Sequence, residues 1–236
     1  MTTEPPIGRG ALVTGSARRV GRHVAAALIA RGWRVVVHAT DANAAREAAV
    51  ELGAASSIGG DLRDATTYTA IIDGAVVALD DGRGGGLDLL VNNASTFVHR
   101  PLSETTIDDW HAAFDVNARA PFFLSIAAEP HLRARRGSIV NISDMAAHEH
   151  WPAFAAHGAS KAALEALTLS MAARLAPDVR VNAIAAGTIL PPDGSSREEL
   201  ARLAGLPGGL KTPDVVVNAL VTLVNDQARY GEVVFV

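Results

Sequence analysis

The chain has 236 residues, of which 49% are apolar and 5% aromatic, and its formal net charge at pH 7 is −4. This length and apolar content suit one compact domain with a large core. The charge excludes a protein whose main partner is a nucleic acid, because no basic stripe is available to neutralise phosphates. The absence of cysteine excludes disulfides and thiolate metal sites.

Hydropathy along the chain argues against a membrane protein. No run approaches the roughly 20 apolar residues that a membrane span needs, and the N-terminus lacks the apolar stretch of a secretory signal. The sequence therefore predicts a cytoplasmic protein with no membrane partner.

Short runs of β-branched residues alternate with alanine-rich helical stretches, which is typical of βαβ units around a parallel sheet. The strands are predicted at residues 11–14, 34–37, 55–59, 87–91, 137–142, 179–184 and 232–236. The helices are predicted at residues 20–30, 42–52, 65–80, 107–132, 152–176 and 213–225. Pro121 is expected to kink the fourth helix. Residues 1–8 are expected to be flexible, and residues 188–210 to form a mobile substrate loop with one short helix.

This order of elements predicts a single α/β domain of the Rossmann type, a doubly wound parallel sheet of about seven strands with helices on both faces. Such sheets bind ligands outside the carboxyl ends of their strands. Polar residues and glycines follow the predicted strands at these ends, namely Gly15, Asp61, Asn92, Asp144 and Gly187. We therefore expect the binding site at that edge of the sheet.

A glycine-containing turn at residues 14–21 joins the first predicted strand to the first helix. Turns of this kind present backbone N–H groups to a pyrophosphate. Gly15 allows the tight turn and Gly21 allows the helix to pack closely on the strand. Arg19 occupies the middle position, where glycine is common.

Five features match the short-chain dehydrogenase/reductase family in order and spacing: Thr14-Gly15 with Gly21, Asp61-Leu62, Asn92-Asn93-Ala94, Asn117 and Lys161. The chain resembles that family over nearly its whole length. Arg19 and the run Asn-Asn-Ala-Ser-Thr-Phe at residues 92–97 make it similar to the pteridine reductases. The resemblance implies that Asp61 binds an adenine amino group and that residues 92–95 line the nicotinamide.

The full set of cofactor-binding residues expected on this basis is Gly15, Arg18, Arg19, Val20, Gly21, His38, Ala39, Thr40, Asp61, Leu62, Asn92, Ala94, Ser95, Lys161, Gly187 and Ile189.

The second predicted strand is followed by no acidic residue at the position where an acid binds a ribose 2′-OH and repels a 2′-phosphate. That strand ends His38-Ala39-Thr40, and Arg18 and Arg19 lie in the turn across from it. The pattern favours NADPH (NADP⁺) over NADH, although Asp41 is close by. A solvated loop cation is the alternative interpretation of Arg18.

The family places a tyrosine acid four residues before its lysine, and here that position is His157. The resemblance also places Asp144 opposite this position, as in pteridine reductases. A carboxylate can orient an imidazole and favour its protonated form, and imidazole titrates near neutrality. We hypothesise that His157, supported by Asp144, is the general acid, with Lys161 and Asn117 completing the catalytic set. Asp144 could instead protonate a ring nitrogen directly, and Asn117 would hold a water, as in the family.

The predicted substrate-binding residues are Ser95, Phe97, Asp144 and His157. Phe97 matches an aromatic residue that stacks on the pterin in the resembled reductases, and a hydrophobic plug is its alternative role. His148 and His150 are too few ligands for a metal site, so pocket lining is expected of them and no metal is predicted.

The sequence thus predicts an NADPH-dependent reductase of a pterin-like or other flat cyclic C=N or C=O small molecule. Two alternatives stay open because the tyrosine is absent: a dinucleotide-binding scaffold without hydride transfer, and a dehydratase, isomerase or cyclase that uses His157 and Asp144 as base. The helix at residues 162–175 carries more apolar surface than one sheet face needs. The family resemblance implies that this helix pairs with its copy in a homo-oligomer, a dimer or tetramer, and the composition agrees with it.

Overall fold

A computed structural model describes residues 8–80, 82, 85–191, 196–198, 201 and 209–236. Seven parallel strands form one sheet in the order β3-β2-β1-β4-β5-β6-β7. The strands are β1 Arg9–Val13, β2 Arg34–Ala39, β3 Ser56–Gly59, β4 Gly86–Asn92, β5 Ser138–Asp144, β6 Arg180–Ala186 and β7 Val233–Phe235. The predicted doubly wound sheet is confirmed.

Helices cover both faces of the sheet because successive side chains of each buried strand point to opposite faces. Leu12 of β1 packs in one apolar cluster with Leu124 and Met171, and its neighbours Ala11 and Val13 pack in a second cluster. The helices are α1 Arg19–Ile29, α2 Ala42–Leu52, α3 Tyr68–Leu79, α4 Ile107–Phe114, α5 Ala120–Ala134, α6 Ala146–Glu149, α7 Ala155–Leu175 and α8 Asp214–Asn225.

The helix predicted over residues 107–132 is two helices joined by a π-helical turn, Asp115–Arg119. Pro121 follows this turn, and it has no N–H to donate to the carbonyl group of Asn117. The irregularity therefore lies just before the predicted kink, and the helical turn that contains Asn117 is wider than an α-helical turn. Pro130 lies inside α5, and α6 was not predicted.

The strand order changes direction at β1, because β2 and β3 lie on one side of it and β4 to β7 lie on the other. In doubly wound sheets this switch point opens a crevice at the carboxyl ends of the strands. The first seven of the predicted flexible residues 1–8, and most of the predicted loop 188–210, lie outside the described residues. No helix within the described ranges is long and apolar enough to cross a membrane.

Candidate active site

The turn after β1 is held by side chains from the end of β4. Asn93 donates through Nδ2 to the carbonyl oxygens of Thr14 and Gly15, at 2.8 and 3.2 Å. The Thr14 hydroxyl in turn accepts from the backbone N–H groups of Asn93 and Ala94. Asn93 lies in the predicted run at residues 92–95, but its role in holding this turn was not predicted.

The two predicted glycines allow a close approach between these segments. Gly15 has φ +62°, and a Cβ atom there would lie 2.8 Å from the Ala94 Cα atom. A Cβ atom on Gly21 would lie 2.5 Å from the Gly15 carbonyl oxygen and 2.3 Å from Asn93 Nδ2. Side chains at either position would push apart the turn and the end of β4.

Arg19 takes the left-handed conformation, with φ +51°, at the position where glycine is common. Its guanidinium donates to the carbonyl oxygens of Leu190 and Pro191, at 3.1 and 3.0 Å. Arg19 therefore links the turn after β1 to the segment that follows β6. Arg18 is exposed at the N-cap of α1 and forms no side-chain capping bond, and Val20 lies in the first turn of that helix.

His38 holds the same turn from below. The Gly15 N–H donates to its Nδ1 atom, and Nε2 lies 3.2 Å from the Gly60 carbonyl oxygen. Nδ1 is thus the acceptor, and Nε2 carries the ring proton. Burial lowers the pKa of His38 to about 4. Both ring nitrogens are occupied, so the predicted contact of His38 with a cofactor does not involve them.

The end of β2 exposes Thr40, and Asp41 is the N-cap of α2. The Asp41 carboxylate accepts from the Ala44 N–H at 2.8 Å. Ala39 is the last residue of β2 and is half-buried. The Asp41 carboxylate is therefore engaged in capping a helix.

Asp61 follows β3, and its carboxylate pairs with the Arg63 guanidinium, with Oδ2 to Nη2 at 2.6 Å. The hydrogen bonds from Arg63 lower the pKa of Asp61. Asp61 is thus an anion at the rim of the site, while Leu62 beside it is buried in the core. Adenine binding by this pair stays a prediction.

Asn92 differs from the prediction because its side chain points into the core. Its Nδ2 atom donates to Asn141 Oδ1 at 2.8 Å and to Ser125 Oγ at 3.3 Å. The amide therefore ties β4 to β5 beneath the site, and contact of Asn92 with a cofactor through its backbone stays a prediction. Ala94 and Ser95, which follow it, lie at the rim.

Asn117 is fully buried in the π-helical turn and binds two other segments through one amide. Its Oδ1 atom accepts from the Thr96 N–H at 2.8 Å and from the Ser95 hydroxyl at 3.1 Å. Its Nδ2 atom donates to the Thr96 carbonyl oxygen and to Ser160 Oγ, each at 3.0 Å. This amide fixes the loop after β4 against α7.

His157 and Asp144 are brought together as predicted. The Nε2 atom of His157 lies 3.3 Å from Asp144 Oδ2, within ion-pair distance, although the direction is not that of a formed hydrogen bond. The Nδ1 atom lies 3.1 Å from the Thr96 carbonyl oxygen. Because that oxygen only accepts, a proton on Nδ1 satisfies this contact. Asn117 Nδ2 also lies 3.3 Å from His157 Nδ1, besides its bonds to Thr96 and Ser160.

A neutral His157 ring with its proton on Nδ1 turns the Nε2 lone pair toward the Asp144 carboxylate. With its proton on Nε2, the ring instead directs an N–H group at Asp144 and accepts at Nδ1 from Asn117. Two acceptors facing each other at 3.3 Å repel unless a proton lies between them. The 3.3 Å approach therefore favours a proton between Nε2 and Oδ2. Asp144 is held in place because its Oδ1 atom accepts from the Ala146 N–H at 2.8 Å.

Lys161 is buried one helical turn after His157 on α7 and donates from Nζ to the Ile142 carbonyl oxygen at 2.7 Å. Burial lowers the pKa of Lys161 to about 8, against the opposing charges of Asp144 and Glu165.

Glu165, one turn further along α7, was missed by the sequence analysis. It accepts from Ser143 Oγ at 2.5 Å and contacts His148 Nε2 at 2.8 Å. Glu165 follows Lys161 by four residues, and this spacing places the two side chains next to each other on a helix, which was the available sequence signal.

Aromatic rings cover the outer side of His157. Phe97 is 54% exposed, and its ring centroid lies 4.7 Å from that of His157 in an edge-on arrangement and 4.5 Å from that of Phe154. The other rings on Phe154 belong to His99 and Trp151. Phe97 is too exposed to serve as a hydrophobic plug, and His148 contacts Glu165 and Phe235 instead of this cluster.

The segment after β6 closes the site on its far side. Gly187 donates its N–H to the Val236 carbonyl oxygen at 2.9 Å, and Ile189 is buried in the core. Within the described part of the chain, no three side chains of metal-ligand type come together.

A family model for short chain dehydrogenases matches residues 9–199 of the chain. The chain belongs to the short-chain dehydrogenase family. It is therefore an oxidoreductase, and the family uses a nicotinamide dinucleotide. Similar proteins include 3beta-hydroxysteroid dehydrogenase 1 of Eggerthella lenta, which is 33% identical over 97% of this chain and 92% of that protein.

Solved structures of other family members superpose closely on this short-chain dehydrogenase. A 7 alpha-hydroxysteroid dehydrogenase complexed with NADH has a TM-score of 0.87 and 27% identity, over 98% of this chain and 93% of the other. A gluconate 5-dehydrogenase from Burkholderia cenocepacia, in complex with NADP, has a TM-score of 0.86 and 28% identity over 98% and 94%. Neighbours thus include complexes with either nucleotide.

The rim residues fit a dinucleotide. The N-cap of α1 makes no side-chain hydrogen bond, so the first N–H groups of the helix have no capping side chain and are suited to a pyrophosphate. The buried His157 Nε2 atom has no formed hydrogen bond and lies at the same edge of the sheet. A nucleotide across this rim would extend from the turn at residues 14–21 toward His157.

Proposed function

We propose that this short-chain dehydrogenase is an NADPH-dependent reductase of a flat, pterin-like cyclic C=N or C=O substrate, with a proton supplied by His157 and Asp144. The observation that carries the proposal is the 3.3 Å approach of His157 Nε2 to Asp144 Oδ2 at the rim of the sheet. His157 stands at the position of the family's tyrosine acid, four residues before Lys161.

The proton shared by His157 and Asp144 is suited to general acid catalysis. Imidazole titrates near neutrality, whereas a phenol requires a strongly lowered pKa to act there. The Thr96 carbonyl oxygen fixes the ring through Nδ1, which leaves Nε2 and the carboxylate to hold the mobile proton. Transfer of this proton to the substrate leaves the two acceptors facing each other, so reprotonation from solvent follows turnover.

The cofactor, when bound, supplies the hydride. A 2′-phosphate is favoured by the exposed Arg18 and by Thr40, and Asp41 does not oppose it because its carboxylate caps α2. Lys161 would hold the nicotinamide ribose, and its burial near Asp144 and Glu165 keeps it at the base of the site. Asn117 positions Ser95 and Thr96 against this region.

The substrate class is inferred from the exposed face of Phe97. A half-exposed ring beside His157 offers a stacking surface for a planar heterocycle. Such stacking contributes about 1 kcal/mol beyond the area buried. A saturated substrate gains less from this face, so flat cyclic substrates are favoured.

A homo-oligomer belongs to the same proposal. A groove of about 280 Å³ runs between α5 and α7 and is lined by Phe122, Ile126, Met171 and Leu175 among others. Phe123 and Leu169 are half-exposed on the same two helices. Apolar surface of this kind is typical of an interface between protein chains.

The test is a reduction assay followed by the absorbance of the reduced nicotinamide, with dihydropterins and small cyclic ketones as substrates. We expect turnover with NADPH, and a loss of about 100-fold or more in kcat for Asp144→Asn and His157→Gln. Arg18→Gln should raise KM for NADPH more than for NADH. His99→Gln, which removes a nearby ring outside the Asp144 contact, is the control and should keep kcat.

Other outcomes identify the two alternatives. Tight NADPH binding without turnover of any substrate, unchanged in His157→Gln, would indicate a dinucleotide-binding scaffold. Product formed without net consumption of NADPH would indicate a dehydratase, isomerase or cyclase. A large gain in carbonyl reduction by His157→Tyr would show that the hydride step is intact and that only the usual acid is missing.

A further inference from the structure

A second polar cleft lies at the amino ends of the strands, on the opposite edge of the sheet from the candidate active site. It has a volume of about 70 Å³, and its lining includes Arg9, Trp33, Asp88, Arg136 and Arg180. These residues come from the starts of β1, β4 and β6 and from the loops before β2 and β5. With Arg135, four arginines line the cleft, and Asp88 supplies the carboxylate of the lining.

The carboxylate is already satisfied within the protein. Asp88 accepts from Arg135 Nε at 2.7 Å through Oδ1 and from the Gly10 N–H at 2.8 Å through Oδ2. It therefore neutralises one guanidinium and has little capacity for the others. Among the described residues, Arg9, Arg136 and Arg180 form no ion pair with a carboxylate.

Arg180 forms the floor of the cleft and is only 7% exposed. Its Nη atoms donate to neutral acceptors: Gln227 Oε1 at 2.6 Å, and the carbonyl oxygens of Arg136 and Val224 at 3.3 and 3.2 Å. Burial, together with the like charge of Arg9, lowers the pKa of Arg180, against the opposing charge of Asp226. The Nε atom of Arg180 is buried without a hydrogen-bond partner. A buried cation whose hydrogen bonds go only to neutral groups is costly, and a bound anion would offset that cost.

The other two guanidiniums lie above this floor. Arg9 is placed over the face of the Trp33 indole, 5.2 Å from the ring centroid, which orients it without neutralising its charge. Arg136 is exposed and holds a left-handed backbone, φ +51°, directly after the C-terminus of α5. Its carbonyl oxygen accepts from Arg180, and Arg136 is among the residues that line the cleft.

We propose that this cleft is an anion site that binds a phosphate-type oxyanion, either inorganic phosphate or the phosphoryl group of a small phosphate monoester. Guanidinium groups bind tetrahedral oxyanions through charge-assisted hydrogen bonds. The volume suits a single phosphoryl group and is too small for a nucleotide. The site is separate from the nucleotide rim, because it lies at the other ends of the strands.

The experiment is a calorimetric titration of the full chain with inorganic phosphate and, separately, with glycerol phosphate, at constant ionic strength set by chloride. We expect saturable binding of one phosphate at this cleft, with and without saturating NADP⁺. Arg9→Gln and Arg136→Gln should each weaken binding about tenfold, the loss of one charge-assisted contact. Both positions are partly or fully exposed, so the variants should fold.

Two controls locate the binding. Arg133→Gln removes a guanidinium that pairs with Glu129 and Asp178 outside the cleft and should leave phosphate affinity unchanged. Arg18→Gln tests the nucleotide rim. Loss of phosphate binding in the presence of NADP⁺ or in Arg18→Gln would overturn the proposal. An unchanged phosphate affinity in both Arg9→Gln and Arg136→Gln would overturn it as well. Equal affinity for both probes would show that the cleft recognises the phosphoryl group alone. Tighter binding of glycerol phosphate would identify a phosphate monoester as the ligand.

Discussion

His38 and Lys161 are buried basic side chains whose pKa values are lowered chiefly by burial. The two side chains have different roles in the protein. His38 is neutral and uses its ring to bridge Gly15 and Gly60, so its role is to shape the turn. Lys161 lies near the carboxylates of Asp144 and Glu165, so its ammonium belongs to the charge balance of the site.

His38 should make the protein less stable in acid. The unfolded chain protonates His38 near pH 6.5 and the folded protein only near pH 4, so the unfolded state binds more protons between these values. The free energy of unfolding therefore falls as the pH drops through this window, by up to about 3 kcal/mol. Urea unfolding from pH 7.5 to 4.5 measures the slope.

His38→Gln should flatten that pH dependence, even if it lowers stability at neutral pH. His23→Gln, at an exposed position of α1, is the matched control and should keep the wild-type slope. An unchanged slope in His38→Gln would contradict the assignment of His38 as a neutral buried ring.

Two irregular elements deliver the polar groups of the site. The turn at residues 14–21 packs against the end of β4 with almost no space between their backbones. The π-helical turn Asp115–Arg119 directs the Asn117 amide at the loop after β4 and at α7. Regular helix or strand at either place would direct these groups elsewhere.

Gly21→Ala should destabilise the protein and weaken nucleotide binding. A Cβ atom at this position meets a backbone oxygen at 2.5 Å, so α1 must shift away from the turn. We expect a loss of about 1–3 kcal/mol in the free energy of unfolding and weaker binding of NADPH in a fluorescence titration.

Gly187→Ala is the comparison, because a Cβ atom there would make only an ordinary contact of 3.6 Å with the Val236 carbonyl oxygen. It should leave the free energy of unfolding unchanged within about 0.5 kcal/mol. Equal stability of the two variants would show that the turn is looser than the contacts indicate.

At the scale of the whole molecule, the two ends of the sheet carry different chemistry. The carboxyl ends bring together the His157–Asp144 pair and the turn after β1, and the amino ends bring together the arginines of the proposed anion site. The groove between α5 and α7 is a third surface, apolar and on one side of the sheet.

Substitution in the groove, at Ile126, or beside it on α7, at Leu169, should change the state of association. Ile126→Glu and Leu169→Glu place charges on two half-exposed apolar positions, and a charge buried in an interface without a partner is costly. We expect light scattering to show a smaller assembly for these variants than for the wild type. Val50→Glu, an exposed apolar position on α2, should leave the mass unchanged, and a monomeric wild type would contradict the expected oligomer.

The sequence by itself determined the architecture and the approximate place of the site. Strand and helix periodicity depends on local spacing, and the residues at strand ends meet at one edge in any parallel sheet, so Gly15, Asp61, Asp144 and Gly187 were assigned to that edge correctly. The pairing of Asp144 with His157 followed from the family resemblance and is confirmed at 3.3 Å.

Tertiary structure alone decided which way the polar side chains point and with what they pair. Asn92 turns into the core and His38 bonds the turn, because a buried polar group takes whichever partners the neighbouring strands offer. Glu165 and Asn93 acquire their roles in the same way. The amino-end arginines lie far apart in the chain, so only packing of the strands shows that three of them lack a carboxylate partner among the described residues.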